Sequence, residues 1–203
     1  MLIKKSPLSL NLVLTGAIIF MAGLPAGAQN AAQEALSSLK EGGIRIGSGL
    51  TASLPLGDYA EVLKASFGAE ASLGIRPSGS LPLELSLRLA GEAGIPADSG
   101  VTLALGTATL VGAGWRFALP RNFALVPAAE AGSYAHWLKA GGDDPMPNAW
   151  LVYFDPLLRG SLSLRYARGN LEFVLAPTFT VMFERSGVLP AAGFRAGMYR
   201  LFK

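Results

Sequence analysis

The sequence predicts an all-β chain, an eight-stranded up-and-down antiparallel transmembrane β-barrel, and three observations carry that prediction. Strict alternation of apolar and polar residues recurs in about eight stretches of the 203 residues. Glycines and a nearly balanced set of acids and bases collect on the polar side of those stretches, while the oily side carries almost no charge. Aromatic residues gather at the two ends of the stretches, where a membrane barrel places its girdles.

Ahead of the alternation lie Lys4 and Lys5, an apolar stretch from Leu8 to Leu24, and the small residues Ala26, Gly27 and Ala28. This is the pattern of a cleaved secretory signal peptide spanning residues 1–28. Its removal takes two lysines and no acid, so the formal charge of +3 falls to +1. No basic stripe remains to bind nucleic acid. The chain has no cysteine, which excludes a lipobox and a disulfide framework. Residues 29–43 are read as a short periplasmic N-terminal segment and 44–203 as the barrel.

The template is the stretch Leu63 to Arg76, LKASFGAEASLGIR. Every second residue from Leu63 to Ile75 is apolar, and Lys64, Ser66, Gly68, Glu70, Ser72, Gly74 and Arg76 stand opposite. A strand sends successive side chains to opposite faces, so this segment has one oily and one polar face. Before it, residues 44–56 alternate in the same way and end at Gly57 and Asp58. After it, Pro77, Ser78 and Gly79 turn the chain into 81–92, where Glu84, Arg88 and Glu92 face away from five leucines. The stretch 101–119 follows, closed by Pro120, Arg121 and Asn122, and then 123–138, with Glu130, Tyr134 and His136 on its polar side. The longest loop is 140–148. The remaining strands are 150–166, 171–184 and 194–202. No apolar run after the signal approaches the roughly 18 residues of a membrane helix.

A soluble barrel also alternates, with its oily face inward, so residue size must choose the wet face. An eight-stranded barrel has a narrow interior, and small residues belong on the crowded side. Gly47, Gly68, Gly74, Gly106, Gly112 and Gly197 all fall on the polar side, which is therefore the inside. That side carries a predicted lumen ion-pair network of Arg45, Lys64, Glu70, Glu84, Arg88, Arg116, Glu130, Asp155, Arg159, Arg165, Glu172 and Arg195. Near balance is expected there, because an unpaired buried charge costs several kcal/mol. With the amino end periplasmic, Trp115, Phe117, Phe123, Tyr166, Phe173 and Phe202 form one aromatic girdle, and Tyr59, Trp137, Trp150 and Phe183 form the other.

The turn Leu54-Pro55-Leu56-Gly57-Asp58-Tyr59 and the closing strand with Arg195, Gly197 and Phe202 resemble those of the small eight-stranded outer-membrane barrels typified by OmpA, OmpX and OmpW. Arg200 and the trailing Lys203 depart from that closing pattern. The resemblance implies a bacterial outer-membrane location, outer-membrane lipid as surroundings, periplasmic chaperones and the barrel-assembly machinery as partners in biogenesis, and a monomer. It implies a structural or surface-interaction role, with a passive channel or carrier for small or hydrophobic solutes as the alternative.

Nothing in the sequence marks a catalytic, cofactor-binding or metal-binding set. His136 is the single histidine and points to the lumen, whereas Ser133 points to lipid, so the two do not form a nucleophile and base. Asp143 and Asp144 are too few for a calcium cage and read as a solvated loop tip. The outward prolines Pro127, Pro156, Pro177 and Pro190 remove ladder donors and mark bulges or, as a second reading, a lateral opening.

Overall fold

The computed structural model describes residues 43–76, 82–97, 101–140, 150–184 and 187–202. The expected signal peptide, most of the N-terminal segment, and the loop holding Asp143 and Asp144 lie outside the described residues.

The chain forms β1 (Gly43–Pro55), a helical turn α1 (Tyr59–Val62), β2 (Leu63–Arg76), β3 (Leu83–Pro96), β4 (Val101–Trp115), β5 (Phe117–Ala118), β6 (Phe123–Ala140), β7 (Trp150–Arg168), β8 (Leu171–Glu184) and β9 (Gly187–Phe202). The two residues of β5 continue β4 past a break at Arg116, so the sheet has eight staves. Their order is β4-β3-β2-β1-β9-β8-β7-β6, and β4 pairs with β6 to close the ring. Every pairing is antiparallel, and the seam between the first and last strands runs from Ile44 opposite Phe202 to Pro55 opposite Ala191. The end holding Gly43 and Phe202 is called lower here, and the other upper.

Local sequence explains the lower turns. Arg121 and Asn122 both have positive φ, 60° and 66°, which is the type I′ geometry whose twist matches a tight hairpin. Gly169, at φ 62°, serves the hairpin between Arg168 and Leu171.

The alternation has the predicted sense. Leu50 is 70% exposed and Phe154 74%, while Arg195 is 1% and Glu172 0% exposed. The oily face looks out and the charged face looks in. Trp115, Phe117, Phe123, Tyr166, Phe173 and Phe202 lie outside at the lower end, where the rings of Phe123 and Tyr166 stand 5.0 Å apart. Trp150, Phe183 and the half-buried Trp137 lie at the upper end. The guanidinium of Arg200 sits 5.5 Å over the ring of Phe202 at the lower edge, so its charge stays near the rim.

Four details differ from the periodic pattern. A β-bulge between Leu63 and Ala65 shifts the register with β3, burying Leu63 and leaving Lys64 exposed, so Lys64 is not a lumen residue. Tyr59 does not join the upper girdle: α1 turns it inward, where it is buried beside Leu63 and Tyr134. The last strand begins at Gly187, seven residues before Phe194, and pairs with β8 through its proline and small residues. Finally, the ladder between β6 and β7 runs unbroken through Pro127 and Pro156. The interruption falls between β7 and β8, where Leu162 and Ser163 make no bridge to Ala176 and Pro177.

Candidate functional site

The site that the fold builds is the lumen, and its contents change from bottom to top. In the lower tier, β1, β3, β7 and β8 place Arg45, Glu84, Arg165 and Glu172 on one level. Arg45 donates to Glu84 at 2.7 Å and to Glu172 at 2.9 Å. Arg165 donates to the same two carboxylates, reaching Glu172 at 3.2 Å. Arg116 approaches both at 3.5 and 3.2 Å, and Arg76 donates to Glu84 at 3.0 Å. Four arginines thus share two glutamates.

The middle tier repeats the device. Arg88 donates to Glu70 at 2.9 Å, to Glu130 through Nε, and to the Tyr199 hydroxyl at 2.9 Å. Arg195 lies 3.5 Å from Glu70 and donates to Ser163 at 3.1 Å. Arg159 stands 4.0 Å from each of Glu70 and Glu130. Three arginines share two glutamates here. Lumen glycines make the room: a β-carbon at Gly74 would lie 2.9 Å from the Arg45 guanidinium, and one at Gly106 would fall on the Tyr134 hydroxyl.

Above these tiers the filling is apolar. Leu63, Leu110, Leu157 and Met182 pack with alanines of β3 and β4 and with the rings of Tyr59 and Tyr134. Burial, with Glu92 and Glu184 near, pushes the Tyr59 hydroxyl well above the usual phenol range, so it stays neutral. A cavity of about 40 Å³ remains beneath this lid, with Glu92, Arg159, Thr178 and Arg195 in its wall. A water needs roughly 10–15 Å³, so the void has room for a few waters.

The upper mouth holds His136, Asp155 and Glu184, on three adjacent strands. His136 Nε2 lies 3.3 Å from Asp155 Oδ2 and 3.7 Å from Glu184 Oε1. Glu92, just below, accepts a 3.0 Å hydrogen bond from Ser66. Among the described residues no arginine or lysine forms an ion pair with Asp155 or Glu92. Ser133 is exposed on the outer face, whereas His136 is buried on the inner one, so serine and histidine diverge.

Of the twelve predicted lumen residues, eleven face inward, Lys64 being the exception, and ten of them enter the two ion-pair tiers. Asp155 stands apart at the mouth. Tyr134, Tyr199 and Ser163 join the lumen filling, in phase with Glu130, Arg195 and Arg165 as the alternation expects, and Tyr59 joins it against the expectation of a girdle residue. Which charges meet depends on the stagger between strands, which periodicity within one strand does not contain.

No protein-family model and no curated protein matches the chain. Among solved structures it is similar to Neisserial surface protein A, with a TM-score of 0.60 at 10% identity over 80% of this chain and 100% of that one. It is similar to a major outer membrane protein of Thermus thermophilus, with a TM-score of 0.57 at 12% identity over 78% and 99%. It is also similar to Ail, the attachment invasion locus protein of Yersinia pestis, with a TM-score of 0.54 at 16% identity over 80% and 99%. Identities this low carry the architecture and nothing finer. The chain has the fold of the small eight-stranded outer-membrane β-barrels.

Proposed function

We propose that this protein is an integral protein of the bacterial outer membrane, a closed and non-conducting barrel with a structural or surface-interaction role and no catalysis. One observation carries the reading: among the described residues the lumen is filled by two tiers of shared ion pairs below and an apolar plug above, beside which lie small cavities of about 40 and 10 Å³. A conducting path would have to break several buried ion pairs, each costing about 3–5 kcal/mol when one partner is lost. Lipid is the permanent partner in this reading, held by the apolar outer face and the two aromatic girdles. Periplasmic chaperones and the assembly machinery act only during biogenesis. The eight staves close on one another, which supports a monomer.

The test is conductance of the refolded protein in a planar lipid bilayer. The wild type is expected to be silent at all applied voltages. Steady currents that change with Glu70→Gln or Arg159→Gln would overturn the reading and identify a lumenal path.

A second reading, a carrier that passes hydrophobic solutes sideways into the membrane, is favoured by the missing bridges at Leu162, Ser163, Ala176 and Pro177. Amide exchange separates the two. Fast exchange confined to that stretch of β7 and β8 supports the lateral route, and protection equal to that of the neighbouring strands removes it.

A further inference from the structure

The geometry points to a site for one first-row divalent metal ion, of the zinc type, at the upper mouth, held by His136 of β6, Asp155 of β7 and Glu184 of β8. This inference goes beyond the structural role and does not depend on whether the lumen conducts.

The donor set fits such an ion. One atom from each residue lies within 4.8 Å of the other two. The measured separations of 3.3 and 3.7 Å from His136 Nε2 bracket the edge of a tetrahedron built on bonds of about 2.1 Å, which is about 3.4 Å. A nitrogen and two carboxylate oxygens suit zinc and its neighbours; calcium and magnesium prefer all-oxygen sets. Three protein ligands leave a fourth position for water.

Two buried atoms of the site lack a hydrogen-bond partner. His136 is 4% exposed and Asp155 8% exposed. His136 Nε2 and Asp155 Oδ2 face each other at 3.3 Å, yet neither makes a hydrogen bond. With the imidazole proton on the ring's other nitrogen, Nε2 and Oδ2 are two lone-pair atoms turned together away from water, an arrangement that is unfavourable unless something positive stands between them. Other buried atoms of the lumen also lack a partner, but the contrast is informative. The open oxygens of Glu70 and Glu130 belong to carboxylates whose other oxygen already holds Arg88. At the mouth no arginine or lysine among the described residues pairs with Asp155, and a cation held there would neutralise its carboxylate.

The ligands are also held rigidly. His136 pairs with Tyr153 and Tyr134 with Asp155 along one continuous ladder. The rings of Tyr134 and Tyr153 stand edge-on against the imidazole, at 5.5 and 4.9 Å, and fix its orientation. Such support from neighbouring groups is what positions a ligand before the metal arrives.

The chain itself simplifies the test, because it contains one histidine and no cysteine. Any imidazole-bound metal must be at His136, provided the protein is prepared without a polyhistidine tag. The experiment is equilibrium dialysis of the full-length protein in micelles against zinc chloride, with metal content measured per chain. About one zinc per chain is expected, and His136→Gln or Asp155→Asn is expected to weaken binding by at least about 100-fold, since even outer-shell losses cost about 10–100-fold. Heat-modifiable migration on a gel checks that each variant is folded. Should both variants fail to fold, the NMR signal of the single imidazole in the wild type decides: it is expected to shift with zinc and not with magnesium. No retained zinc, zinc binding unchanged in a folded His136→Gln variant, or an imidazole signal indifferent to zinc would each overturn the site.

Discussion

The two ends of the lumen use the same kinds of residue to opposite effect. Below, arginines outnumber glutamates, and every buried carboxylate is gripped by several guanidinium groups, as Glu84 is by Arg45, Arg76, Arg116 and Arg165. Above, Glu92, Asp155 and Glu184 line a mouth whose described residues hold one imidazole and no arginine bound to Asp155 or Glu92. Shared ion pairs desolvate well because each charge keeps several partners of opposite sign. A carboxylate without them, such as that of Asp155, keeps its attraction for cations. A narrow barrel therefore gains rigidity at one end and unspent affinity at the other, from nothing more than where the arginines stand.

The difference has measurable consequences. The largest belongs to the lower tier: Glu172→Gln strips a fully buried carboxylate from Arg45, Arg116 and Arg165 and is expected to destabilise the barrel by about 3–5 kcal/mol in urea unfolding from lipid vesicles. A loss below about 1 kcal/mol would break the comparison. The upper mouth should respond far less. Without metal, Asp155→Asn removes a buried charge that no arginine neutralises, so stability is expected to stay within about 1 kcal/mol of wild type or to rise. The smallest effect is expected at Arg76, whose side chain is 39% exposed and which, among the described residues, forms an ion pair with Glu84 alone: Arg76→Gln should cost under about 1 kcal/mol. Together the three variants rank burial and sharing against mere proximity.

Much of this was legible in the sequence, because a strand repeats every two residues and the barrel has only two faces. The sense of Arg88, Glu130 or Arg195 followed from which side carried glycine. The departures have local causes. Lys64 alternates faultlessly in the sequence, but a bulge next to α1 turns it outward and Leu63 inward. Tyr59 has the aromatic character of a girdle residue, and only the helical turn decides that it plugs the lumen. The first half of β9, with Pro190 and small residues, has no contrast between faces to read. The meeting of His136, Asp155 and Glu184 was invisible for another reason. His136 and Asp155 were placed inward, but their meeting with Glu184 depends on how three strands are staggered.

The seam between β1 and β9 also fixes the order in which the molecule can form. It joins residue 44 to residue 202, and the ion pair from Arg45 to Glu172 spans 127 positions of the chain. Loops that long close late and slowly. Until the last strand arrives, the inner arginines and glutamates have no full set of partners and must remain in water. Entry into lipid and completion of the ring are therefore one event rather than two: a half-made barrel would carry a wet, charged face into hydrocarbon.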